Sequence, residues 1–397
     1  MSSSQTIAFS PTPFLHGNTL PLLLHTGADF GRRPELFISG TGNYASMDLP
    51  TMVERNVDLT PFNTFRVQSI ARFLVRVHTV GQLQALANSD AFKACKNIIL
   101  GGGSNVLFCD RSFDGIVLKN EILGIRLFAE ENATVVLEAG GGVSWQALTT
   151  YCIEHEYGGL ESLSMIPGTV GAAPVQNISA YGAAISDVLH RVTTVDLSSG
   201  NQHDFSNSEC LFSYRESIFS KREGGQNLFI TSVAVKLVKA PYYRPKSISR
   251  PVQQVLASRG DTDPSIRSIS EAVSFIRGLK LPDPGLVSNA GCFFKNPYIK
   301  ESLCRLIMEA HPDLPHIPDA TGGQWMIPGA WLVEKCGWKG RNLGNVGVSG
   351  KHALVLVHYG GARGSDILDL VMQIRNDVRR KFSIDLVMEV NIIRQCF

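Results

Sequence analysis

Two runs of three consecutive glycines constrain this chain more than any other feature. Gly101-Gly102-Gly103 follows the short apolar run Asn97–Leu100, and Gly140-Gly141-Gly142 comes shortly after Thr134–Leu137. Both preceding runs have the apolar, β-branched character of buried strands, as does Gly115–Leu118. Three residues without Cβ let a backbone press against another backbone or a ligand and turn its N–H groups toward an anion. Ser144 is placed to cap a helix carrying Trp145, Leu148 and Cys152 on one face and stopping at Gly158. Taken singly, a glycine triplet reads as a tight turn before it reads as a phosphate loop. Neither triplet matches G-x-G-x-x-G or the P-loop spacing.

A third segment shares this character. Ile166-Pro-Gly-Thr-Val-Gly-Ala-Ala-Pro-Val-Gln-Asn177 is made almost wholly of small or rigid residues. Such a chain hugs something, either a ligand or an element crossing over it. From about residue 57 the pattern is that of an α/β protein. Near the C-terminus Ser365 is positioned to cap a helix with Ile367, Leu368, Val371, Ile374 and Val378 on one face. Arg379, Arg380 and Lys381 follow where the helix dipole favours cations. Ile384, Leu386, Met388, Val390 and Ile392 then alternate as a strand, with Asp385, Glu389 and Asn391 on the opposite face. Residues 240–265, with four prolines among Ser and Arg, read as a long irregular connection.

Composition removes several function classes. Lys+Arg total 37 against 35 Asp+Glu, a net charge of +2, so nothing favours a nucleic-acid or membrane-surface partner. No apolar run approaches the length of a membrane span. The 8 cysteines show neither C-x-x-C nor zinc-ligand spacing and read as reduced thiols of an intracellular protein. His311 and His316 lie in a Pro-flanked loop without a third ligand, so no metal is expected. Residues 1–52 are expected to be a disordered leader or sequence upstream of a start at Met47 or Met52; a transit peptide is the alternative, since acids are absent before Asp29.

From about residue 57 to 394 the chain resembles the UDP-N-acetylenolpyruvoylglucosamine reductase family, in its longer, type I branch. The pieces that carry the resemblance stand in family order: Asn63-Thr64-Phe65; Leu100 through Asn105; Ile166-Pro-Gly-Thr-Val-Gly171; Gln176-Asn177 with Ala180-Tyr181-Gly182; Tyr214-Arg-Glu-Ser217; Asn289-Ala-Gly-Cys-Phe-Phe-Lys-Asn-Pro297; and Glu389-Val390. The resemblance implies an α+β fold. Its FAD-binding half, of the vanillyl-alcohol-oxidase (PCMH) type, has two α+β subdomains, and a third α+β domain binds substrate. The expected boundaries are 57–123, completed by a C-terminal strand at 384–397; 124–274, with the linker 240–265; and 275–383.

What the resemblance implies about chemistry is specific. FAD is held without a covalent bond, in keeping with a 101–105 loop that lacks His and Cys. Gly101, Gly102, Gly103, Ser104 and Asn105, with Ile166, Pro167, Gly168, Thr169 and Val170, cradle its pyrophosphate, and Tyr181 lies near the flavin. NADPH reduces the flavin. The enolpyruvyl sugar nucleotide then takes a hydride at its vinyl carbon and a proton at the neighbouring carbon, giving UDP-N-acetylmuramate for peptidoglycan. Arg215 grips the substrate carboxylate, Glu389 stabilises the enediolate-like intermediate, and Cys292 delivers the proton. Lys280 and Asn296 contact substrate, and Glu334 and Lys335 support the site. The enzyme is a cytoplasmic monomer in this reading. Read without the resemblance, Arg215 is an ion-pair partner of Glu216, Glu389 a solvated strand residue, Cys292 a small buried thiol, Lys280 a solvated lysine and Asn296 a turn residue.

Two positions depart from the family pattern. Cys292 stands where Ser is commonest, and the linker Tyr that contacts substrate diphosphate is absent, Ser249 taking the place counted from Pro245. Tyr242, Tyr243, Lys246 and Arg250 are the candidates to replace it. Two other functions stay open at this level: a flavin oxidase or dehydrogenase of the same superfamily acting on an alcohol or sugar, and a nucleotide-binding module without catalysis.

Overall fold

A computed structural model describes residues 53–221, 225–318 and 322–394; the leader expected at 1–52 lies outside them. The first sheet runs in the order Val53–Asp58, Ile70–Val77, Ser112–Asn120, Asn97–Leu100. The outer pair is antiparallel and the other pairings are parallel. A parallel pairing needs a crossover, which Val80–Ala87 and Asp90–Lys93 provide. Thr79 and Gln82 start the first of these helices as a reciprocal capping box. Phe73, Val75, Val77, Leu83, Leu86, Ile116 and Leu118 bury their side chains between sheet and helix.

The second sheet is antiparallel, in the order Gln202–Ser206, Leu189–Asp196, Leu228–Lys239, Thr134–Gly140, Ile125–Glu130, with Tyr157–Gly158 added to the long strand. The helix Trp145–Glu154 covers one face with Trp145, Leu148 and Cys152 buried. It ends before Gly158, because Tyr157 and Gly158 join the sheet.

The rest of the chain packs Glu301–Ala310, Gly329–Lys335 and Gly364–Phe382 around two small three-stranded sheets. Its core takes in Phe65, Val67 and Leu107 from the first region. Asn391–Ile393 returns to pair in parallel with Val106–Phe108, directly after the first glycine run.

Three local expectations change. The strand expected over Ile384–Ile392 is laddered only at Asn391–Ile393, with a single bridge at Met388. The side chains still alternate, since Ile384, Leu386 and Val390 are buried while Asp385 and Val387 are exposed. Residues 240–265 contain the helix Arg250–Ser258, whose Val252 and Leu256 pack on Ile266–Lys280. Pro251 sits in its first turn, where a missing N–H is tolerated. The long helix begins at Gly364, not after Ser365: Asp366 accepts the Arg363 N–H at 2.8 Å. Any Cβ on Gly364 would lie 1.8 Å from the Phe108 carbonyl oxygen.

Candidate active site

The segments singled out in the sequence interlock at one place. Thr64 donates its N–H to the Gly103 carbonyl at 3.1 Å and accepts the Asn289 N–H at 3.1 Å, so it joins the first glycine loop to the loop carrying Cys292. Asn105 and Gln176 both donate side-chain amides to the Glu389 carbonyl, at 3.2 and 2.9 Å. Glu389 donates its own N–H to Phe293 at 2.8 Å. Residues more than 200 apart in sequence are thereby joined by main-chain and side-chain amide hydrogen bonds.

The two glycine triplets differ in use. In the second, Gly140, Gly141 and Gly142 give their N–H groups to Gly124, Thr231 and Ile122. Cβ atoms there would strike backbone or Asn120, so this triplet is a close-packed crossing. It also holds the small-residue segment: Val170 and Gly171 donate to Val143 and Gly141, and Trp145 donates to Gly168. In the first triplet, the N–H groups of Gly102, Gly103 and Ser104 have no acceptor among the described residues. The 166–170 segment lies against it. A Cβ on Gly101 would stand 2.6 Å from Thr169 Oγ1, and one on Gly102 would stand 2.8 Å from Gly168 Cα. Ser104 Oγ donates to the Pro167 carbonyl, and Lys119 Nζ donates to the Gly101 carbonyl at 2.6 Å. Burial pulls the Lys119 ammonium below its ordinary range, although Glu121 opposes this. Two apposed loops with free amide donors fit an anion such as a pyrophosphate.

Arg215, Glu389 and Cys292 come together. Arg215 has a left-handed backbone, φ 56°, in a turn where Ser213 and Glu216 exchange main-chain hydrogen bonds of 3.0 and 3.3 Å. This conformation costs a residue with a Cβ about 1–2 kcal/mol and is retained chiefly at functional sites. Arg215 Nε lies 2.9 Å from Glu389 Oε1, an ion-pair contact whose N–H is not aligned on the oxygen. Arg215 Nη1 donates to Ser179 Oγ at 3.0 Å. The two side chains are 22% and 14% exposed, so Glu389 is not a solvated strand residue. Burial pushes its carboxyl above the usual range, and Arg215 and Lys295 only partly offset this.

The half-buried Cys292 bridges to Val355. Burial, and then the Glu389 charge, push its thiol up to about 12, against the pull of Arg215 and Arg277. The thiol form is therefore favoured at neutral pH.

The remaining candidates have different surroundings. Tyr181 packs against the helices Arg250–Ser258 and Ile266–Lys280. Burial raises its phenol, and Arg277 pulls the other way. Asn296 uses Oδ1 to accept the Gly329 N–H at 2.9 Å and its own N–H to reach Tyr214 Oη, leaving its amide nitrogen for a ligand. Lys280 is exposed on the last turn of its helix. Glu334 pairs with Lys339 and Lys335 with Asp313, so both are occupied by neighbours outside the trio. Tyr243 is removed as a substrate contact: its hydroxyl donates to the buried Glu161, and its ring lies against Gly158. Tyr242, Lys246 and Arg250 are exposed. Arg277 went unnoticed because a cation in a helix's last turn reads as a dipole partner. Its Nε is buried with no acceptor among the described residues, and burial lowers its guanidinium.

Residues 283–393 match the family model for the C-terminal domain of UDP-N-acetylenolpyruvoylglucosamine reductase, and residues 71–206 match an FAD binding domain. The reductase of that name from Amoebophilus asiaticus is 41% identical over 343 residues, spanning 86% of this chain and 99% of that one. The one from Burkholderia ambifaria is 41% identical over 330 residues, spanning 83% and 93%. The crystal structure of the Thermus caldophilus enzyme superposes with a TM-score of 0.61 at 23% identity, over 86% of this chain and 98% of that one. That likeness is one of fold.

Proposed function

The chain belongs to the UDP-N-acetylenolpyruvoylglucosamine reductase family, and from that premise we propose that Arg215, Glu389 and Cys292 carry its second half-reaction. The protein is an NADPH-dependent flavoenzyme, a UDP-N-acetylmuramate dehydrogenase, that reduces the enolpyruvyl group of UDP-N-acetylenolpyruvoylglucosamine in peptidoglycan precursor synthesis. The oxidase reading of the same superfamily is set aside by that kinship. The single observation behind the assignment of roles is the Arg215–Glu389 contact at 2.9 Å, with Cys292 immediately preceding Phe293, whose carbonyl accepts the Glu389 N–H at 2.8 Å.

Bound FAD would supply the hydride chemistry that links NADPH to the vinyl carbon of the substrate. The free N–H groups of Gly102, Gly103 and Ser104 and the adjoining 166–170 segment are the residues to hold its pyrophosphate. Hydride addition to an enol ether builds negative charge on the attached carboxylate. Arg215 is held by Ser179 on one side and Glu389 on the other, and its remaining N–H donors grip that carboxylate. Glu389, biased toward its protonated form by burial, donates to the enediolate-like oxygen. Donors aimed at developing charge contribute about 3–4 kcal/mol each. Cys292, fully a thiol at neutral pH, supplies the proton to the neighbouring carbon.

Lys280, Asn296 and Tyr181 complete the reading as cleft contacts. The division of labour follows the chain: 57–123 and 124–274 for the flavin, 275–383 for the substrate. The enzyme works as a monomer in the cytoplasm, without nucleic-acid or membrane partners. The test is anaerobic: the purified protein is yellow, NADPH bleaches it, and the enolpyruvyl substrate restores the colour. Bleaching without recovery on substrate, but with recovery on oxygen, would overturn the reading.

A further inference from the structure

We propose that the ion pair Glu216–Lys295 is a positioning clamp that keeps Arg215 and Glu389 on one another. The inference rests on the roles given above to Arg215 and Glu389. Residues 293–295 and 387–389 form an antiparallel ribbon: Glu389 donates to Phe293 at 2.8 Å, Lys295 donates to Val387 at 2.9 Å, and Phe294 bridges Met388. Three consecutive residues of the 213–216 turn each grip this ribbon or its continuation. Tyr214 Oη accepts the Asn296 N–H at 3.3 Å, Arg215 meets Glu389 at 2.9 Å, and Glu216 Oε1 accepts Lys295 Nζ at 3.2 Å. The charges thus alternate, with each acid on one side answered by a cation on the other.

The clamp has a reason beyond adhesion. Glu216 is half exposed and Lys295 is not fully buried, and such pairs add little to stability. Lys295, however, already acts on Glu389, drawing its raised carboxyl back down together with Arg215. Two cations therefore compete for one carboxyl group. Glu216 occupies Lys295 and leaves Glu389 to Arg215. Without Glu216, the flexible Lys295 ammonium is free to turn to Glu389 and release the Arg215 guanidinium from its working geometry. The charged and titratable groups acting on Glu389 are then Arg215 and Tyr214 from the turn, and Lys295 and Cys292 from the paired segment.

The test uses the flavin-loaded enzyme and separates the half-reactions. In Glu216→Gln, flavin reduction by NADPH stays within about twofold of the parent, while reoxidation by the enolpyruvyl substrate slows by about tenfold. The double variant Glu216→Gln/Lys295→Gln recovers most of that loss, because the competing ammonium is gone, and Lys295→Arg behaves like the parent. Lys295→Gln alone moves the basic limb of the reoxidation pH profile to higher pH, since one of the charges that lowers the Glu389 titration has been removed. Reoxidation within twofold of the parent in Glu216→Gln overturns the clamp, as does a double variant whose loss is the product of the single losses. Glu389→Gln, run beside them, tells the two failures apart. If it abolishes reoxidation while Glu216→Gln does nothing, only the clamp falls; if it too does nothing, the underlying roles fall and the clamp falls with them.

Discussion

Replacing Gly103 by Ala tests whether the first glycine loop is shaped by steric necessity. Gly103 has φ 65°, a conformation that costs an alanine about 1–2 kcal/mol. The added Cβ would also stand 1.9 Å from the Phe62 carbonyl oxygen and 2.9 Å from Asn63 Cα. The Phe62 carbonyl has nowhere to go, because buried Asn63 ties the 59–67 turn together. Its amide nitrogen donates to Leu59 and Val67 at 2.8 and 3.0 Å, and its Oδ1 accepts the Val67 N–H at 3.1 Å. Forcing an atom into such a place costs about 1–3 kcal/mol more. The sum, about 2–5 kcal/mol, is a large share of the 5–15 kcal/mol or so that holds a typical fold. Two controls separate the causes. Gly124 has φ 111° and nothing within 4 Å of its Cβ position, so Gly124→Ala carries strain alone. In Gly102→Ala the methyl would stand 2.8 Å from Gly168 Cα, wedging the two loops apart without a positive φ. Thermal unfolding and flavin content, read on the same samples, should therefore diverge. Gly124→Ala loses only the strain of about 1–2 kcal/mol and keeps its flavin, Gly102→Ala loses flavin out of proportion to stability, and Gly103→Ala loses more stability than Gly124→Ala and its flavin as well. Gly103→Ala with parental melting temperature and full flavin would refute the reasoning.

Three further outcomes follow from the same geometry. Glu389 has a raised folded-state pKa, so its stabilising protonated form is complete below the unfolded value, about 4.3, and is lost as pH rises through the folded one. Urea denaturation should show the parent losing stability relative to Glu389→Gln as pH rises above the ordinary carboxylate range; a difference that moves the other way contradicts the assignment. Tyr243→Phe leaves one oxygen of buried Glu161 without its donor and should lower stability by about 1–3 kcal/mol with KM for the sugar nucleotide unchanged; a raised KM would return Tyr243 to the substrate. Arg215→Lys keeps the charge but loses the planar fork, and substrate-driven flavin reoxidation should fall by about a hundredfold while NADPH-driven reduction persists; equal slowing of both would contradict a role confined to the second half-reaction.

Legibility followed the range of the interactions. Gly101–Asn105 and Ile166–Val170 were visible because the demand for missing side chains is local and leaves a mark on composition. That the second triplet is only a packed crossing was not visible, since it depends on where the Gly124, Thr231 and Ile122 carbonyls lie after folding. Pro251, in a stretch whose composition suggests an irregular connection, sits in the first turn of a helix, a distinction set by the packing of Val252 and Leu256 on the next helix. Strand alternation around Glu389 was legible, but its burial was not: that comes from the 213–216 turn laid over it, more than 170 positions upstream. Arg277, Ser179 and the Glu216–Lys295 pair carried no sequence signal of their own, because each acquires its meaning from a neighbour brought up by the fold.

The account turns on a thiol that protonates the substrate once the flavin's hydride has gone over. It is tested most directly in a single turnover of pre-reduced, flavin-loaded enzyme mixed with the enolpyruvyl substrate, comparing Cys292→Ser with Cys292→Ala. The serine variant is expected to reoxidise and form UDP-N-acetylmuramate, whereas the alanine variant forms none although NADPH still reduces its flavin at the parental rate. Product formation by the alanine variant as fast as by the serine variant would contradict it.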